Sequence, residues 1–191
     1  MSKGRLEAFS DGVMAIIITI MVLELSPPAG VELGALRPLL PKFLGYILSF
    51  IYVGIYWNNH HHLFQIVRRV DGRVLWANLH LLFWLSLVPF VTAWMGQNVL
   101  AAWPVALYGL VLLMAAVAYN LMTMTLRPLH EADSPLATAL GRDIKGKASV
   151  IAYVAALPLA FVWPWASYAL FVLVALVWLV PDRRIEKTLT A

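Results

Sequence analysis

Apolar residues in this chain come in long blocks separated by short polar or Pro-rich stretches, not in the alternation of half-buried strands. Crossing a hydrocarbon core takes about 20 helical residues, slightly fewer when the flanking side chains reach toward the headgroups. Six blocks approach that length, at 6–25, 43–64, 74–95, 101–124, 148–163 and 165–180. The last two are short and form a tight hairpin around Pro164, and Pro158 interrupts the fifth. Only two connections are long, a Pro-rich one from Ser26 to Lys42 and a polar one from Thr125 to Lys147. Neither could fold as a separate domain, and there is no internal repeat. The expectation is an all-α integral membrane bundle of six transmembrane helices, with residues 1–191 as one unit.

Charge adds a direction to this picture. Of the 14 Lys and Arg residues, only Arg37 and Lys42 fall in connections on one side of the six expected spans. All the others, from Lys3 and Arg5 to Arg184 and Lys187, fall on the opposite side. Basic residues are retained on the cytoplasmic side of membrane helices, so both termini are expected in the cytoplasm. Trp94, Trp103, Trp163 and Trp165 then mark the outer ends of spans, and Trp76 and Trp178 the inner ends, as interfacial anchors do. Trp57 and Trp84 suit core filling better.

Composition excludes several other classes. The chain is 62% hydrophobic and 13% charged with a mean hydropathy of +0.80, more apolar surface than a soluble domain this size can bury. The net charge of +4 is spread between the hydrophobic blocks, a topology signal and not a nucleic-acid footprint. No cysteine is present, which removes disulfides, thiolate metal sites and cysteine nucleophiles. The first block has a basic start, but Asp11 opens it, Glu24 nearly closes it, and Ser26-Pro27-Pro28 reads as a helix stop. It is expected to be a mature span rather than a cleaved signal.

No phosphate loop, nucleophile elbow, zinc-protease motif or carboxylate pair within a span appears, so no enzyme is expected. A T-V-G-Y-G filter is also missing. Ionisable and polar groups inside apolar runs are therefore the candidates for function. Asp11 begins the first span two turns after Arg5. It is either a helix N-terminal carboxylate facing the headgroups or part of a buried polar knot holding the first helix to its neighbours. Partners at the same depth are Asn58, Asn59, His60, His61 and His62 on the second span, and Asn78 and His80 on the third. Consecutive imidazoles on a helix point about 100° apart, so the three histidines cannot converge on one metal, and none is expected. One imidazole and one asparagine are expected to hydrogen-bond Ser10 or Asp11. Further along, Gly12, Ile16, Thr19 or Ile20, and Leu23 share a helical face. Periodicity alone favours a packing or lipid-facing stripe, but as a pore face it would be a hydrophobic constriction that gates by dewetting, with one hydroxyl layer at Thr19.

The run Arg5-x-x-x-Phe9-Ser10-Asp11, opening the first of six spans and continued by branched aliphatics, resembles the signature of the transmembrane protein 175 family. The resemblance implies a potassium-permeable cation channel without a re-entrant filter loop or cofactor. It implies a homotetramer in the cell membrane, with K+ and lipid as its other partners and the first helix of each copy around a central pore. The family's narrow rings would fall on Ile16 and Leu23, with a layer at Thr19 and Ile20 between them. Arg5, Phe9, Ser10 and Asp11 would tie the first helix to its neighbours near the cytoplasmic side. The alternative is a secondary transporter coupled to protons or cations through Asp11, Glu24 or the histidines.

Overall fold

The computed structural model describes residues 2–130, 136 and 143–179. Every regular element among them is helical. The α-helices are α1 (Lys3–Leu23), α2 (Leu40–Ile66), α3 (Gly72–Ser86), α4 (Val88–Gln97), α5 (Ala102–Leu126), α6 (Ile144–Val162) and α7 (Pro164–Leu179). Short 3₁₀ turns at Leu33–Leu39 and Arg127–Leu129 follow α1's exit segment and α5. Five runs are long and apolar enough to cross a membrane, one of them the combined α3–α4, and α7 is a shorter apolar helix of 16 residues. Arg142, Val180, Arg183, Arg184 and Lys187, which carry part of the expected topology, lie outside the described residues.

The six expected spans are all helical, with two corrections. The third is not continuous, because α3 ends at Ser86 and α4 starts at Val88. Pro89 has no N–H to offer the Leu85 carbonyl, and its ring crowds that turn, so the helix breaks just ahead of it. Conversely, Pro158 does not interrupt the fifth span, since α6 runs through it from Ile144 to Val162. That helix also starts a turn earlier than its hydrophobicity suggests. Asp143 caps it, accepting a 2.9 Å bond from the Gly146 N–H.

Helix α5 sits at the centre, packed against α3, α4, α6 and α7. Helices α6 and α7 form the expected hairpin, and α2 spans the gap between α4 and α7. The interior is pinned by hydroxyl bonds, with Ser49 Oγ 2.7 Å from Thr92 Oγ1 and 3.0 Å from Tyr108 Oη, and Tyr52 Oη donating to the Phe171 carbonyl at 2.6 Å. Such bonds satisfy polar groups where no water is available. Helix α1 stands at the side, packed against α2, α3 and α4, with much of its surface exposed.

Candidate functional site: a polar brace and an uncovered aliphatic face on the first helix

The buried side of α1 is a stripe at Leu6, Ser10, Met14, Ile17 and Met21, spaced by three or four residues. Four of these are apolar and fill the groove formed by α2, α3 and α4. The fifth is a hydroxyl and needs partners, because an unpaired polar group costs about 1–3 kcal/mol in such a setting. Ser10 Oγ donates to its own helix at the Leu6 carbonyl (2.9 Å) and accepts from Asn78 Nδ2 of α3 (2.9 Å). The oxygen of that amide, Asn78 Oδ1, lies 2.9 Å from His60 Nε2 of α2. An amide oxygen only accepts, so this imidazole nitrogen carries the proton. His60 also stacks on Phe64, ring centroids 4.5 Å apart. Ser10, Asn78 and His60, all buried, thus tie three helices through one amide side chain.

Asp11 is braced separately. Its Oδ1 accepts from the indole Nε1 of Trp57 at 3.0 Å, not from an imidazole or an asparagine. Trp57 is therefore not core filling. It is 43% exposed, and its ring lies nearly parallel to His61 at 5.7 Å. His61 Nε2 accepts from Gln65 Nε2 at 2.8 Å, and Lys3 Nζ reaches the Gln65 carbonyl at 3.5 Å. The N-terminal part of α1 is thereby tied to α2 by a chain of polar and aromatic contacts. This partner is missed by sequence reasoning; the signal that could have found it is an indole N–H donor at the depth of a carboxylate.

The other polar candidates are dispersed. Asn59 turns back to the Ile55 carbonyl (2.8 Å), and His80 accepts from Trp84, one turn away on α3, at 2.9 Å. Trp84, too, is half-buried with a polar partner. His62 is half-buried and its ring lies 5.8 Å from that of His61, while Asn58 is half-buried outside the brace. Among the described residues no group of His, Asp and Glu is arranged to hold a metal ion. Arg5 and Phe9 are exposed on α1.

Beside the buried stripe runs an uncovered one, Phe9, Gly12, Ile16, Thr19, Ile20 and Leu23. Ile16 is 58% and Leu23 78% exposed. The Thr19 hydroxyl is turned to the Ile16 carbonyl at 2.9 Å, so it bonds within the helix while the residue stays on the surface. One flank of this face borders a groove against the α3–α4 break, lined by Val13, Ile16, Ile20 and Phe90 among others. The helix is thus two-sided, with one side locked into its own subunit and the other a smooth aliphatic strip.

The motif that opens α1, six apolar runs and this helix arrangement together define a polytopic membrane channel fold. The model of the family described as "Endosomal/lysosomal potassium channel TMEM175" matches residues 5–89. A potassium channel of Chryseobacterium sp. (strain P1-3) is 55% identical over 189 residues, 99% of this chain and 98% of that protein. The crystal structure of a lysosomal potassium-selective channel TMEM175 homolog from Chamaesiphon minutus superposes with a TM-score of 0.79 at 30% identity, covering 93% of this chain and 96% of that one. The human endosomal/lysosomal proton channel TMEM175 is 40% identical over 81 residues, 36% of this chain and 16% of that protein. The chain belongs to the TMEM175 potassium channel family, and it is a multi-pass membrane protein.

Proposed function

We propose that the chain is the subunit of a homotetrameric, potassium-permeable channel in which the uncovered face of α1 lines the pore. Potassium permeation follows from membership of a family whose bacterial relatives are named potassium channels. The observation that carries the pore assignment is the two-sidedness of α1. Its buried stripe is fixed by the Ser10–Asn78–His60 bonds and the Asp11–Trp57 bond, while Ile16, Thr19, Ile20 and Leu23 are held outward on a rigid helix.

Four copies of that face around one axis put rings of Ile16 and Leu23 at the narrowest levels, with Thr19 and Ile20 between. A throat so apolar excludes water when tight and conducts only when it widens and wets, so the rings act as the gate. Arg5 and Phe9, exposed on α1, are available to a neighbouring copy. The asymmetry of basic residues supports a cell-membrane channel with both termini in the cytoplasm, and all 191 residues serve as one channel subunit without cofactor, metal or catalysis.

The test is Ile16→Asn in purified protein reconstituted into planar bilayers. A polar ring at the throat is expected to raise K+ current or abolish its gating. Wild-type conductance and selectivity in a properly assembled variant would remove Ile16 from the pore. Discrete single-channel steps distinguish this reading from a transporter, whose flux saturates at low turnover.

A further inference from the structure

A second feature lies on the outer half of the molecule, away from α1. An open groove of about 470 Å³ between α2, α4 and α7 is lined by Leu44, Leu48 and Ile51 of α2, Gly96 at the end of α4, and Trp165 and Val172 of α7 among others. Its lining on α2 runs from Leu40 to Ile51, which at 1.5 Å per residue is about 16 Å of helix. That matches one leaflet of a hydrocarbon core about 30 Å thick. The wall on the α7 side is fixed by Tyr168, whose hydroxyl donates to the Val99 carbonyl at 2.8 Å. The groove is therefore built into a single subunit and uses no residue of α1.

Its outer end is marked by charge. Arg37 and Lys42, the two basic residues that the expected topology leaves outside, sit in the turn leading to α2 and in the first turn of α2 itself. A cation at a helix N-terminus opposes the helix dipole, so Lys42 does not serve α2. Its stem lies across Gly96, where an added Cβ would meet Lys42 Cα at 3.0 Å and Cγ at 3.4 Å. The missing side chain at Gly96 thus lets the start of α2 pack closely on the end of α4, which puts Lys42 beside a residue of the groove wall. Trp165, 55% exposed, stands at the same end with an indole suited to the headgroup level.

We infer that this groove is a binding site for one outer-leaflet phospholipid per subunit, with an acyl chain between α2 and α7 and an anionic headgroup at Lys42 and Arg37. The length of one leaflet, the apolar lining and the two cations at its head select a lipid over a polar solute, and an anionic headgroup over a zwitterionic one.

Delipidated protein is incubated with phosphatidylglycerol or phosphatidylcholine and the lipid retained is counted by native mass spectrometry. Phosphatidylglycerol is expected to be kept roughly thirtyfold better, given about 1 kcal/mol for each of the two basic residues near an anionic headgroup. Lys42→Gln with Arg37→Gln erases that preference while retaining some of either lipid. Val172→Trp, which fills the groove, lowers retention of both. Equal retention of the two lipids by the wild type, or a preference that survives the double substitution, overturns the proposal. Because the chain has no cysteine, Leu44→Cys with Val172→Cys reports the rival occupant. A disulfide joining two copies through these positions would mean that a neighbouring subunit fills the groove, which also overturns it. None of these outcomes depends on which residues line the pore.

Discussion

Helices α1 and α5 are equally apolar, each with a mean hydropathy of 2.0 over its best stretch, yet they occupy opposite situations. In α1, 28% of that stretch is buried inside the subunit, while in the run containing α5 it is 56%. Hydropathy therefore reports that both helices sit in the membrane but not what each one touches. The difference lies in side-chain size and polarity. Along α5, Ala106, Gly109, Ala115 and Ala118 are buried, and such small residues let neighbouring backbones approach from several sides. Helix α1 has one buried hydroxyl, four large buried side chains and an otherwise uncovered surface of branched aliphatics. Central support and one-sided attachment are thus written in residue volume, over the same apolar background.

The sharpest way to break this contrast is to add bulk at a glycine of each helix. A Cβ on Gly109 would approach Phe171 Cζ at 3.0 Å and Cε1 at 3.2 Å, with Leu157 Cδ2 at 3.4 Å behind it. Gly109→Leu is expected to cost about 3 kcal/mol or more through overpacking and to show as lost folded yield and a lower melting temperature in detergent. Gly12, on α1, has nothing within 4 Å of an added Cβ. Gly12→Leu should leave the melting temperature of the isolated subunit unchanged. If both substitutions destabilise it equally, the two helices do not differ in the way proposed.

The second test acts on the attachment of α1. Asn78→Ala removes the amide that joins Ser10 to His60 and leaves two buried polar groups facing a small void. A loss of roughly 2–4 kcal/mol is expected, from two hydrogen bonds and the cavity. Ser10→Ala in the same background should then add little, because its main partner is already gone. A double-mutant cycle on thermal unfolding reads the coupling, and strict additivity would mean the two side chains do not act together.

Much of the fold was legible because membrane helices announce themselves. Runs of apolar residues with charged ends gave the number, order and approximate bounds of the helices. The two corrections both concern proline, where composition alone is ambiguous. Pro89 breaks its run and Pro158 does not, and the sequence around them does not say which turn the neighbouring helices will support. Within the site, helical spacing grouped Gly12, Ile16, Thr19 or Ile20, and Leu23 on one face without saying what that face touches, and Asn78 and His60 were foreseeable as polar residues at matching depth. Which polar residue meets which was not foreseeable. It depends on the rotation of α2 about its axis, and a shift of one residue, about 100°, exchanges His60 for His61. That rotation buries His60 against Asn78 and turns Trp57 outward to Asp11.

The smallest expected effect concerns that last pair. Trp57→Phe keeps a ring able to stack near His61 but removes the indole N–H that Asp11 accepts. The site is partly exposed, where water can replace a lost donor, so subunit stability should fall by only about 0.5–1 kcal/mol. The result separates two roles for Asp11. If the carboxylate merely anchors α1 to α2, Trp57→Phe and Asp11→Asn should give the same modest drop in melting temperature. If Asp11 also meets a neighbouring copy, as the exposed Arg5 and Phe9 beside it suggest, Asp11→Asn should lower the yield of assembled oligomer on size exclusion while Trp57→Phe leaves it intact. Equal oligomer yields would confine Asp11 to its own subunit and leave α1 tied to its partners by the aliphatic face alone.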